Sequence, residues 1–108
     1  MAWKIYPPGI YRVIKRFASY NSVDKIIVTE NGAAFNDVVI NDQVNDDDRI
    51  RFYEDYLQPV LKAKDKGINV QGYFAWSFTD TFEWAERYSK RFGLVLVDTY
   101  CSEELLTV

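Results

Sequence analysis

Four side chains in this sequence are of types that could do chemistry together at one site. Glu30 follows the run Lys25-Ile26-Ile27-Val28-Thr29, Trp76 closes a run that starts at Ile68, and Glu83 and Trp84 lie in the loop just beyond. If the two runs are parallel strands of a barrel, functional groups collect at their C-terminal ends, so two carboxylates and two indoles converge on one rim. Carboxylates can bind hydroxyl groups and attack or protonate at a glycosidic bond, while a flat indole suits the C–H face of a ring. Composition narrows the alternatives. The 108 residues include no histidine, which excludes Ser-His-Asp and Cys-His catalysis and removes the usual metal ligands. One cysteine, Cys101, permits neither an intrachain disulfide nor a Cys-based zinc site. Any chemistry therefore falls to carboxylates, lysine, tyrosine or hydroxyls.

The elements that position these groups follow from periodicity. Ile10, Val13, Ile14 and Phe17 recur at helical spacing, which predicts an amphipathic helix over 9–20 with Pro7 and Pro8 at its proline-tolerant start. A second helix is predicted over about 46–66, with Ile50, Tyr53, Leu57, Val60, Leu61 and Lys64 along one face. Asp46, Asp47 and Asp48 at its start and Lys62, Lys64 and Lys66 at its end suit the macrodipole, and Gly67 is a natural stop. Pro59 inside it leaves the Asp55 carbonyl without a partner and predicts a kink. The β-branched run at 25–29 and the segment from Ile68 to Trp76 read as strands, the latter with Ile68, Val70, Phe74 and Trp76 on one side and Gly72 at a close approach. Val38-Val39-Ile40 before Asn41-Asp42 reads as a small hairpin, and Leu94 to Val97 as a short strand. Helix, strand, helix, strand makes one right-handed βαβ unit with parallel strands. Two helices cannot cover two faces and two edges, so the chain is expected to be an α/β slice of a larger sheet or barrel, prone to self-association.

The motifs carry a resemblance. Val28-Thr29-Glu30-Asn31-Gly32 resembles the nucleophile signature of glycoside hydrolase family 1, the β-glucosidase family. Gly72-Tyr73-Phe74-Ala75-Trp76-Ser77, Asp80, Phe82-Glu83-Trp84 and Arg91-Phe92-Gly93 resemble its later landmarks in order, and Ile5-Tyr6-Pro7 with Gly9 and Tyr11 resembles the stretch before the nucleophile strand. The resemblance implies a (β/α)8 barrel to which residues 1–98 contribute the last βαβ portion, with 99–108 a divergent or truncated tail. It implies that Glu30 is the nucleophile of a retaining mechanism, that Trp76 is a platform under the sugar, that Glu83 and Trp84 hold its far side and that Phe92 borders the pocket. No cofactor is needed for such chemistry. Phe82-Glu83-Trp84 is similar to the version found with non-phosphorylated sugars. The family's acid/base glutamate sits in an Asn-Glu-Pro string, which this sequence lacks. Thr81 replaces a common Asn and Arg87 a common Gly, so the loop after Trp76 is expected to take its own path.

Plainer readings stand beside these. Asn31-Gly32 alone is a common hairpin signal, and Phe74 and Trp76 could be core aromatics. Asp80 reads as a structural loop carboxylate, and Asp46 to Asp48 as a solvated helix start, since the spaced ligands of a calcium loop are absent. A net charge of −3 argues against nucleic acid as a partner, and no apolar run is long enough to span a membrane. The lone cysteine and a start without an apolar leader favour a cytoplasmic setting. The expected partner is a β-glucoside or related small carbohydrate. A catalytically incomplete sugar-binding or assembly module is the alternative.

Overall fold

The first helix, α1 (Pro8–Ala18), begins with proline at its first turn and carries Lys15 and Arg16 in its last, where a cation meets the negative dipole end. The computed structural model describes residues 4–80, 91–98 and 103–106. Strand β1 (Ile26–Asn31) comes next, then a short hairpin of β2 (Val39–Ile40) and β3 (Gln43–Val44). Helix α2 (Asp47–Asp65) leads to β4 (Val70–Ala75). The last elements, β5 (Val95–Asp98) and β6 (Glu103–Leu106), pair antiparallel. β1 and β4 pair parallel across the α2 crossover, as the helix–strand alternation requires.

Local chemistry explains the boundaries. Asn41 and Asp42 both take positive φ, 52° and 60°, the conformation of the two-residue turn that best joins twisted strands. α2 ends in a Schellman motif: Gly67 N–H donates to the Lys64 carbonyl at 3.0 Å and Ile68 N–H to that of Ala63 at 3.2 Å. Gly67 sits at φ +90° with open space around it, so backbone conformation selects glycine there. At the other end, Asn45 Oδ1 accepts the Asp47 N–H at 2.9 Å.

The core lies between the helices and one face of the sheet. Ile14, Val60, Ala63 and Val70 form its buried centre, with Ile10, Tyr11, Ile26, Val28, Ile68 and Tyr73 packed around it. This differs from the face predicted for α2. Arg49, Phe52, Val60 and Ala63 are the buried residues of that helix, while Ile50 and Leu61 stay 55% and 57% exposed. The apolar count placed the stripe one position off, because a buried arginine carries part of the contact face. On α1 only Ile14 is buried, and Val13 and Phe17 remain exposed on the predicted stripe.

The strand ladder is irregular in two places, and both matter. Ile26 pairs with Val70 but Ile27 with Gly72, so β4 holds one extra residue there; Val28 pairs with Tyr73 but Asn31 with Ala75, so β1 holds one extra residue further on. The predicted single-sided row Ile68, Val70, Phe74, Trp76 is thereby broken. Val70 faces the core, whereas Phe74 is 60% exposed.

Candidate functional site

Strand alternation decides which way Glu30 points. Val28 and its partner Tyr73 both pack on the helix-side core. A regular strand would return Glu30 to that same side, two residues on from Val28. The extra residue between Val28 and Asn31 changes the outcome: Asn31, paired with Ala75, uses its Oδ1 to accept the Tyr73 hydroxyl, which fixes Asn31 on the helix side. Glu30, one step earlier, is thereby directed to the opposite face, and it is exposed. On β4, Phe74 and Trp76 alternate with Tyr73 and Ala75 and fall on that same opposite face; Trp76 is 40% exposed. Glu30 lies within β1 rather than just past it, and Trp76 stands one residue beyond β4.

Backbone bonds tie these two positions. Trp76 N–H donates to the Asn31 carbonyl at 2.8 Å, and the Tyr53 hydroxyl of α2 donates to the Trp76 carbonyl at 3.1 Å. Gly32 is required by the same contact, since a Cβ there would sit 1.9 Å from the Trp76 oxygen. Burial pushes the Tyr73 phenol up to about 12 and raises that of Tyr53, so both remain neutral donors at physiological pH. The Trp76–Ser77 peptide bond is cis.

The remaining rim is held by buried charge. Asp80 is buried, accepts the Gly93 N–H at 2.9 Å and pairs with Arg91 at 2.9 Å, the structural role expected of it. A Cβ on Gly93 would approach the Asp80 nitrogen to 2.4 Å. Ser77, also buried, receives the Leu94 N–H on its carbonyl at 2.9 Å, and its own N–H reaches the Phe92 carbonyl at 3.4 Å. Phe92 is therefore half-buried in the segment laced to the residues that follow Trp76.

Arg49 is the functional-region residue that the sequence reading missed. It is 3% exposed, bonds Asp37 at 2.6 and 3.3 Å, Asp46 at 2.7 Å and the Arg91 carbonyl at 3.1 Å, and stacks over Phe35 at 5.2 Å. Phe35 and Arg91 exchange two backbone bonds of 2.9 Å. One guanidinium thus joins the loop after β1, the start of α2 and the segment holding Phe92. Burial works against its charge, but the two carboxylates outweigh that and hold its pKa above the ordinary value. Its Nε finds no acceptor among the described residues. The signal available in sequence was the position of Arg49 on the α2 stripe, one residue before Ile50. Glu83 and Trp84 lie outside the described residues. Among the described residues no cluster of His, Cys, Asp and Glu is arranged to hold a metal, and no helix is long and apolar enough to cross a membrane.

Comparison with known proteins agrees with this architecture. The chain is 46% identical over 99 residues to β-glucosidase A of Thermotoga maritima, covering 91% of this chain and 22% of that protein. It is 45% identical over 100 residues to 6-phospho-β-galactosidase 1 of Streptococcus pneumoniae, covering 89% and 21%. The chain therefore spans about a fifth of the length of these curated relatives. In structure it is similar to the family 1 β-glucosidase from Thermotoga maritima, with a TM-score of 0.91 and 42% identity over 97% of this chain and 24% of that one. The same enzyme has been solved in complex with deoxynojirimycin, with an equal TM-score of 0.91. The parallel β1–β4 pair with its crossover helix is a portion of a (β/α)8 barrel. The sequence model of glycosyl hydrolase family 1 matches residues 1–106, and the chain belongs to that family.

Proposed function

We propose that this chain supplies the nucleophilic half of a retaining β-glycosidase site acting on terminal, non-phosphorylated β-D-glycosides. The reading is supported above all by the register that turns Glu30 to the sheet face shared with Trp76. A carboxylate oxygen of Glu30 attacks the anomeric carbon, forming a glycosyl ester as the leaving oxygen departs with a proton from a second carboxyl group. Water then attacks the same carbon, losing its proton to that second group and freeing Glu30. Trp76 supports the ring, Glu83 and Trp84 hold its hydroxyls, and Phe92 borders the pocket. Family relatives include both a β-glucosidase and a 6-phospho-β-galactosidase. The preference for plain sugars therefore rests on Phe82-Glu83-Trp84, which resembles the pattern that binds them.

The second carboxyl must lie about 5–5.5 Å from Glu30, and no Asn-Glu-Pro string is present to supply it. That absence favours a second reading, in which this chain alone is a catalytically incomplete module. We expect it to hydrolyse aryl glucosides no faster than buffer; turnover that disappears in Glu30→Gln would overturn this. An activated 2-fluoro glucoside needs little acid assistance, so it separates the two readings. A mass adduct on Glu30 supports the nucleophile, no adduct favours the incomplete module, and equal labelling of Glu30→Gln sinks the assignment.

A further inference from the structure

Positive charge gathers on the outer surface of the helical layer. α1 packs beside α2, and an open groove of about 710 Å³ lies between them. Arg12 and Lys15 of α1, Gln58 and Lys62 of α2 and the rings of Tyr11 and Pro59 line it, and no carboxylate does. Tyr11 is the centre of the cluster. The Lys62 ammonium crosses from α2 to lie 4.5 Å from the centre of the Tyr11 ring, whose face attracts a cation. Lys15 comes four residues after Tyr11 and three after Arg12 on the same helix, so its side chain is a neighbour of both. Arg12 is itself held over the Tyr6 ring at 5.8 Å. Aromatic faces therefore fix two of the three cations in place without neutralising them.

Little nearby offsets this charge. α1 contains no carboxylate. Among the described residues, ion pairs to carboxylates are made by Arg49 and Arg91 alone, so Asp65, three residues after Lys62, leaves that lysine unpaired. A helix C-terminus supplies about half a negative charge, and here it is shared, by Lys15 with Arg16 in α1 and by Lys62 with Lys64 in α2. Arg12 stands mid-helix, outside the last turn where that effect acts. Three like charges around one ring repel one another, and a bound anion would relieve that repulsion. A phosphoryl group has three acceptor oxygens and about two negative charges. It suits cations approaching from two helices better than a flat carboxylate, which one arginine fork satisfies. We infer that the groove between α1 and α2 binds a multiply charged oxyanion, either free phosphate or the phosphoryl group of a small molecule. Arg12 offers its planar fork to two oxygens, Lys15 and Lys62 act as point charges beside it, and Gln58 adds an amide donor. The groove lies on the helical side of the sheet, away from the face that carries Glu30, so the inference is independent of the sugar chemistry proposed there.

The test titrates inorganic phosphate and, separately, glycerol phosphate into the 108-residue chain at low ionic strength while backbone amide shifts are followed. Saturable shifts at Arg12, Lys15, Gln58 and Lys62 are expected. Lys15→Gln and Lys62→Gln should each weaken binding about fivefold. Both side chains are exposed, so the circular dichroism spectrum should not change. Arg51→Gln removes an exposed cation of α2 outside the groove and should leave the affinity as it is. Binding of inorganic phosphate alone identifies the free ion as the ligand, and equal or tighter binding of the ester identifies the phosphoryl group. Four results would each overturn the inference: shifts that rise without saturating, shifts that spread over the whole cationic surface, shifts that chloride reproduces at equal ionic strength, or an equal loss of affinity in Arg51→Gln.

Discussion

Gly32→Ala is the sharpest probe of the joint between the two strands. A methyl group at residue 32 would lie 1.9 Å from the Trp76 oxygen and 2.9 Å from its carbonyl carbon, against a limit of 3.0 Å that real Cβ atoms essentially never cross. Backbone, not a flexible side-chain tip, must give way by more than an ångström. That motion breaks the 2.8 Å bond from Trp76 N–H to Asn31 and the 3.1 Å bond from Tyr53. Overpacking costs about 1–3 kcal/mol and each lost hydrogen bond about 0.5–1.5 kcal/mol. Alanine's stiffer unfolded chain returns about 0.4–1 kcal/mol, for a net loss of about 1–5.6 kcal/mol. Urea unfolding followed by tryptophan fluorescence and circular dichroism should show the midpoint fall by roughly 1 M or more. Gly67→Ala is the comparison, because φ is +90° there with nothing within 4 Å; its cost of about 1–2 kcal/mol comes from backbone strain alone. A Gly32→Ala transition within about 0.5 kcal/mol of the parent would show that the strand ends do not meet as described.

Three further outcomes are expected. Arg49→Leu strands Asp37 and Asp46 without their cation and should destabilise the chain by about 3–5 kcal/mol; the same urea titration checks it, and adding Asp37→Leu should recover part of the loss. The Tyr73 phenol, held up to about 12, should be among the last to ionise when tyrosinate absorbance is followed to high pH, and that late step should vanish in Tyr73→Phe. Because the folded chain keeps this proton while the unfolded one releases it near 10, stability should fall as pH rises from about 10 to 12, and less steeply in the variant. Glu30→Gln changes an exposed side chain and should shift stability by no more than about 0.5 kcal/mol while abolishing any 2-fluoro adduct, as read by unfolding and mass spectrometry.

Much of the architecture was legible because it depends on local rules. Prolines 7 and 8 before a helical repeat, Gly67 after one, and Asn41-Asp42 after the β-branched run Val38 to Ile40 each fix a terminus by backbone sterics that nearby sequence carries. Parallel pairing of β1 with β4 followed from the intervening helix. What sequence could not supply was phase. A one-residue irregularity leaves no compositional mark, so the run from Ile68 to Trp76 read as one continuous alternation although it shifts between Val70 and Gly72. The buried face of α2 was misplaced for a related reason: an apolar count passes over Arg49, whose burial depends on carboxylates at positions 37 and 46 brought together only by the fold. Strand β6 at Glu103–Leu106 was not foreseen either, because its partner β5 supplies the ladder that makes it a strand.

The two register irregularities have a joint consequence for how such a site can change. One skipped beat in β4 is followed by one in β1, so the ladder leaves and regains step within six residues. Exchanging side chains along this stretch leaves the beat intact. Pairing Val28, Thr29 and Glu30 in regular register, with the extra residue placed after Glu30 instead of before it, would turn the acidic side chain into the oily layer beneath the helices. Chemistry at this mouth is governed by phase as much as by identity, because the face the carboxylate takes follows from where the surplus residue sits in the strand.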